Sequence, residues 1–234
     1  MTGAYVAPRV HRRILTKPDG RTLWLYARTP IDGPGGVPTE VPSGPWDVAV
    51  FENRFPTLHR AAHNPPSVYV KTLPASGQCE VVVYTQGAEG SLGALPLWHV
   101  EMIIRVWAER TRELGARDDV QYVMPFENRG VEVGVTLPHP HGQLYAYPFV
   151  PPVAAREQRM EDEFFTREGR PLLATVLAGE RDDGRRIVHV EERAMAFVPA
   201  FARYAYEVWV APMRSVASLA DLAAELRAVE VSVA

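Results

Sequence analysis

A single cysteine, Cys79, stands among 234 residues, which excludes an internal disulfide framework and any zinc site built from several cysteines. Neither sign of charge dominates. With 25 Lys and Arg against 28 Asp and Glu, a net charge of -3 and a pI near 6.2, the chain exerts no global attraction on nucleic acid. An anionic ligand would have to be met by local arginines, histidines and backbone N–H groups. Long apolar runs are also missing: no stretch approaches the ~20 residues of a membrane span, and Met1 to Arg13 lacks the apolar core of a signal peptide. These absences point to a cytoplasmic protein with neither nucleic acid nor membrane as partner. What is present suffices for a fold, since 47% hydrophobic residues can build one large domain or two small ones.

The pattern along the chain is α+β. Thr22 to Tyr26, Val48 to Phe51 and Glu80 to Tyr84 are short β-branched and aromatic runs bounded by glycine and proline, and they read as strands. Between them, residues 30 to 46 carry five prolines and four glycines, a composition that resists regular structure, and residues 60 to 79 are similar. From Leu97 to Leu114, the positions Trp98, Met102, Ile103, Val106, Trp107 and Leu114 recur at helical spacing, with Arg105, Glu109, Arg110 and Arg112 largely opposite and Gly115 as the stop. Gln121 to Phe126 and Gly142 to Tyr147 read as strands, followed by helices over Ala154 to Glu168 and Leu172 to Ala178.

Between those two strands lies Pro138-His139-Pro140-His141-Gly142-Gln143. A lone His-x-His is most often a turn with two surface histidines. In extended backbone, however, His139, His141 and Gln143 share one face. A neutral imidazole nitrogen on that face can attack phosphorus, the second imidazole and the amide can hydrogen-bond its oxygens, and Gly142 permits a close backbone approach to a ligand.

After Gly184 the order of elements returns in shorter form. Val188 to Val190, Ala196 to Val198 and Tyr206 to Val210 read as strands, and Ser218-Leu-Ala-Asp opens a helix with a capping-box-like start. The strand–loop–Glu-Val-x-Val–Ser-Leu–helix succession occurs twice, which suggests a duplicated α+β unit whose second copy is incomplete at Ala234. Residues 1–150 then form a first half carrying the histidines, and 151–234 a partial second half.

The segment Phe126-Glu-Asn-Arg-Gly-Val-Glu-Val-Gly-Val-Thr-Leu-Pro-His-Pro-His-Gly-Gln resembles the active-site segment of the galactose-1-phosphate uridylyltransferase family, a branch of the histidine-triad superfamily. Val50-Phe-Glu-Asn-Arg-Phe-Pro, the helix around Trp107 to Gly115, Tyr145-Ala-Tyr-Pro-Phe, and the stretch from Phe197 to Val208 support the resemblance. Residues 47 to 228 are mostly covered, and the N-terminal piece loosely resembles the family's opening strand. The resemblance implies an antiparallel sheet with packed helices, UDP-glucose and galactose 1-phosphate as partners in galactose metabolism, and a homodimer. The stretch before residue 45, which in the family helps bind nucleotide across the dimer interface, is shortened here.

Exchanging UMP between two sugar 1-phosphates is nearly thermoneutral, so a covalent intermediate must conserve the transfer potential of the bond it replaces. A phosphoramidate to histidine does so, whereas a serine ester stores too little. By the family pattern His141 is the nucleophile, its other ring nitrogen held by a backbone carbonyl, and Gln143 donates to the phosphoryl oxygens. Asn128 and Thr136 fall on phosphate-contacting positions, and Asn53 on a nucleoside-contacting one that is equally a turn former. Arg54 and Arg129 add positive charge nearby.

Relatives in the family bind a structural zinc through a Cys-x-x-Cys pair, a histidine ahead of the long helix, and the first histidine of the motif. Here there is no such pair, Ala88 stands where that upstream histidine aligns, and His139 alone is too few for a tetrahedral site. A second family metal site maps to Glu157 but lacks its histidines. The expectation is that both sites are lost and that no cofactor is required for the chemistry. Two other readings remain open: a histidine-triad nucleotidyl hydrolase or phosphorylase, in which water or phosphate accepts the nucleotidyl group, and an inactive truncated fragment that binds nucleotide without turnover.

Overall fold

The computed structural model describes residues 9–31, 44–66, 69–88, 90–130, 133 and 139–221. Contacts divide the chain into two compact units, the second being Val150–Ser218.

The first unit is built on six antiparallel strands in the order β1-β2-β3-β4-β6-β5. These are β1 (His11–Thr16), β2 (Thr22–Ala27), β3 (Val48–Glu52), β4 (Gln78–Val83), β5 (Tyr122–Phe126) and β6 (His141–Tyr147). One helix, α1 (Leu97–Gly115), joins β4 to β5. Leu23 to Ala27 and Val48 to Phe51 are buried at every position, as strands covered on both faces must be. On one face Trp24, Tyr26, Val48, Val50, Val82, Tyr84, Leu144 and Ala146 pack against Met102, Ile103, Val106 and Leu114 of α1. Each such aliphatic side chain contributes roughly 1.5–3 kcal/mol on burial. On the other face Leu23, Leu25, Ala49, Phe51 and Val83 gather with Trp46.

The expected α1 is present, with one correction to its polar face: Arg110 is 3% exposed and not in solvent. It forms an ion pair with Glu80 of β4, which is 0% exposed, at 2.7 Å, while its guanidinium covers the Trp24 ring at 3.9 Å. Burial works against the guanidinium charge, but the Glu80 carboxylate outweighs it and holds the Arg110 pKa above its ordinary value. His99 ties the start of α1 to the sheet through Nε2, which lies 2.6 Å from the Tyr84 carbonyl and 3.1 Å from that of Asp47. Pro125 sits in β5, at the sheet edge, where a missing N–H costs least.

The second unit holds α2 (Pro152–Glu168), α3 (Leu172–Asp183), β7 (Ile187–Val190), β8 (Ala194–Phe197) and β9 (Trp209–Pro212), the strands pairing in chain order and antiparallel. Gly169 and Gly184, both with φ near +70°, end the two helices as glycine does at this position. Glu161 caps α3 by accepting from the Leu172 N–H at 2.8 Å and the Leu173 N–H at 3.3 Å. Leu177, Met195, Phe197 and Ala211 form its core. The meander β7-β8-β9 repeats the adjacency of β2-β3-β4, in keeping with the duplicated pattern. Residues 219–221 are helical, and residues 222–234 lie outside the described residues.

Candidate active site

β6 alternates between half-buried and buried residues along its whole length. His141, Gln143, Tyr145 and Tyr147 therefore lie on one face, and Gly142, Leu144 and Ala146 on the face packed against α1. His141 and Gln143 pair with Val83 and Val81 of β4, which belong to the core face opposite α1. The structure differs from the sequence expectation in two respects. The ladder begins at His141, so His139 lies outside the strand, in a bend. It is followed by Pro140, which has no N–H to give, and the Pro140 carbonyl accepts from the Tyr84 N–H at 2.9 Å. Gly142 does allow a close approach, but by protein: a Cβ there would fall 2.2 Å from the Tyr84 hydroxyl and 2.8 Å from the Phe126 carbonyl oxygen.

His141 Nδ1 lies 2.9 Å from the backbone carbonyl of His139. A carbonyl can only accept, so Nδ1 carries the proton and Nε2 keeps its lone pair. Asn53, just after β3, serves two ends: its Oδ1 accepts from the Phe55 N–H at 2.9 Å, closing a turn, and its Nδ2 points to Gln143 Oε1 at 3.5 Å. With Oε1 facing a donor, the Nε2 amide of Gln143 is the end available to an incoming oxyanion. The turn-former and site-facing roles of Asn53 thus coexist.

Asn128 and Arg129 are exposed just beyond β5, and Thr136 lies outside the described residues. Arg54 stacks on Phe55 at 5.4 Å. Glu157 is exposed on α2, in the other unit from His139. The buried His139 Nδ1 has no hydrogen-bond partner, an orphaned group that a metal could satisfy. All seven histidines and Cys79 are among the described residues, yet no three His, Cys, Asp or Glu side chains there gather closely enough to hold an ion. The donor set does not fit a tetrahedral zinc site.

Two residues given no role from the sequence belong to this region. Glu127 follows β5 directly, and burial raises its carboxyl pKa, opposed by Arg129, His141 and Tyr84. Tyr84 is fully buried, its hydroxyl pushed up by burial and by the Glu127 carboxylate. The two groups perturb each other, although the Tyr84 hydroxyl has no hydrogen-bond partner of ordinary geometry. Glu127 stands in the Phe-Glu-Asn-Arg-Gly run that carries the resemblance, but only the register reveals its neighbours.

The site sets an imidazole of fixed tautomer and an amide side by side on the half-buried face of an antiparallel sheet. Residues 40–151 match the family described as galactose-1-phosphate uridyl transferase, N-terminal domain. The galactose-1-phosphate uridylyltransferase of Thermotoga maritima is 38% identical over 186 residues, 77% of this chain and 57% of that protein. A solved uridylyltransferase superposes with a TM-score of 0.72 at 28% identity, covering 93% of this chain and 73% of the other. An ADP-glucose phosphorylase from Arabidopsis thaliana, solved with bound ADP-glucose, shares the fold at a TM-score of 0.64 and 21% identity, over 82% of this chain and 61% of its own. The chain spans about half the length of the curated relatives it matches. Through residues 40–151, the chain belongs to the galactose-1-phosphate uridylyltransferase family. No helix among the described residues is long and apolar enough to cross a membrane.

Proposed function

We propose that this chain is a nucleotidyltransferase that moves UMP from UDP-glucose to galactose 1-phosphate through a uridylyl-histidine at His141. The observation that carries the reading is the 2.9 Å contact from His141 Nδ1 to the His139 carbonyl, which leaves Nε2 as the nucleophilic nitrogen beside Gln143. Nε2 gives its lone pair to the α-phosphorus, the P–O bond to glucose 1-phosphate breaks, and its electrons leave on that oxygen. Galactose 1-phosphate then displaces the imidazole by the reverse geometry. Gln143, backed by Asn53, donates to the nonbridging oxygens as charge builds on them. Asn128 and Thr136 extend the phosphate contacts. His139 contributes its carbonyl and not its ring to the chemistry, and no resident metal takes part. The cytoplasm is the working compartment, as expected for galactose metabolism.

The test is isotope exchange. With UDP-glucose labelled in the uridine, label should enter UDP-galactose only when galactose 1-phosphate is added, and His141→Ala should abolish transfer. Chelator treatment should leave the rate unchanged. Release of UMP to water, or of UDP on adding inorganic phosphate, in preference to transfer would refute the sugar-phosphate acceptor and favour a hydrolase or phosphorylase.

A further inference from the structure

The turn that leads into β6 sits on a rung of the sheet that is one donor short. The β4–β6 pairing ends at Val83↔His141, and the next pair outward is Tyr84 with Pro140. There the Tyr84 N–H donates to the Pro140 carbonyl at 2.9 Å, at a position where two antiparallel residues ordinarily exchange both hydrogen bonds. Proline has no N–H, so the return bond to the Tyr84 carbonyl cannot form. His99 of α1 supplies it. Its Nε2 lies 2.6 Å from the Tyr84 carbonyl and 3.1 Å from that of Asp47, and because carbonyls only accept, Nε2 carries the proton. The imidazole is buried and stacks on Trp98 at 4.7 Å, with the Arg28 guanidinium 3.4 Å from the centre of the Trp98 ring.

Pro140 joins His139, whose carbonyl fixes the His141 tautomer, to His141 itself. A buried carbonyl without a donor is costly, and it regains one only by turning toward water or another group, which loosens the rung. Loosening lets the His139 carbonyl drift from Nδ1. The ring can then take its other tautomer, in which Nε2 is protonated and its lone pair is lost to the attack on phosphorus. We propose that His99 is a positioning residue for the nucleophile: its Nε2–H completes the hydrogen-bonded pair that Pro140 leaves open, and so holds the His139–Pro140–His141 turn in the geometry that keeps His141 Nε2 unprotonated. It acts through the backbone of Tyr84 and Pro140. The inference rests on the uridylyl-histidine reading.

The experiment compares wild type, His99→Phe and His99→Gln as full chains. Side-chain nitrogen NMR reports which nitrogen of His141 carries the proton, and quenched-flow mass spectrometry with UDP-glucose reports adduct formation. His99→Phe keeps a ring against Trp98 but has no donor. In it the His141 signals should move toward the Nε2–H form, and adduct formation should slow roughly ten- to hundredfold while the Kd for UDP-glucose stays within about twofold. His99→Gln, whose amide can still donate to the Tyr84 carbonyl, should recover the wild-type tautomer and most of the rate. If His99→Phe fails to fold, His99→Asn, whose amide is too short to reach that carbonyl, takes its place against His99→Gln. Wild-type His141 signals and adduct rate in the variant without the donor, or equal slowing in both variants, would overturn the inference while leaving the transferase reading intact. No adduct on the wild type would remove the transferase reading and this inference with it.

Discussion

Gly142→Ala adds a single methyl group at the tightest point beneath the site. Its carbon would sit 2.2 Å from the Tyr84 hydroxyl oxygen, 2.8 Å from the Phe126 carbonyl oxygen and 3.1 Å from Tyr84 Cζ. All three are shorter than an ordinary van der Waals contact, which begins near ~3.5 Å. Tyr84 is 0% exposed, and Phe126 is held in the β5–β6 ladder, so neither obstacle can swing into solvent. Overpacking of this kind costs about 1–3 kcal/mol, and the rigid neighbours point to the upper half of that range. In a unit of this size, that lowers the Tm by roughly 5–10 °C. Tyr84→Phe removes the nearest obstacle. Because that hydroxyl has no hydrogen bond of ordinary geometry, the single change should be close to neutral. The double variant still meets the Phe126 carbonyl and the ring, so it should recover about 1 kcal/mol and not the whole loss. Urea denaturation of the four proteins measures the coupling. A Gly142→Ala protein as stable as wild type, or effects that simply add, would refute the packing of Tyr84 against β6.

Removing Arg110 alone should cost about 3–5 kcal/mol, because it strands the fully buried Glu80 carboxylate, whereas replacing both with leucine should cost much less; urea titrations of the single and double variants check this. Glu127 gives a pH-dependent prediction with a definite sign. A carboxyl whose folded pKa is raised binds more protons folded than unfolded, so it removes stability as pH rises through that window. Glu127→Gln should therefore be more stable than wild type at pH 7, and the difference should vanish below the ordinary glutamate pKa of 4.5, as read by thermal melts across pH. Asn53→Ala removes the group facing Gln143 Oε1 and should slow uridylylation roughly tenfold with little change in Tm, measured by quenched-flow mass spectrometry.

The parts of the fold that are legible in the sequence are those whose signal is local. The α1 periodicity survives because Met102, Ile103, Val106 and Leu114 meet a single sheet face. Period-2 alternation likewise puts His141 and Gln143 together. The features that escape it depend on partners far along the chain. β1 begins His-Arg-Arg and has no position more than half-buried, so its strand character comes from pairing with β2. Arg110 reads as a solvent-face residue because its partner Glu80 lies 30 positions upstream. The last strand starts at Trp209 and not Tyr206, since Glu207 accepts from the Arg203 N–H at 2.8 Å and from Trp209 Nε1 at 2.9 Å, folding that stretch into a turn. Gly142 reads as room for a ligand and in fact serves Tyr84, a contact that only the β4–β6 pairing could reveal.

The proposed chemistry turns on His141 carrying the nucleotidyl group. Intact-protein mass spectrometry after incubation with UDP-glucose, alongside a His141→Ala control, observes that group on the protein itself. The expected result is one uridylyl group per chain, lost in the control, mapped to His141, and discharged by galactose 1-phosphate. Folded wild-type protein with no adduct, or an adduct that persists in His141→Ala, would show that His141 is not the nucleophile.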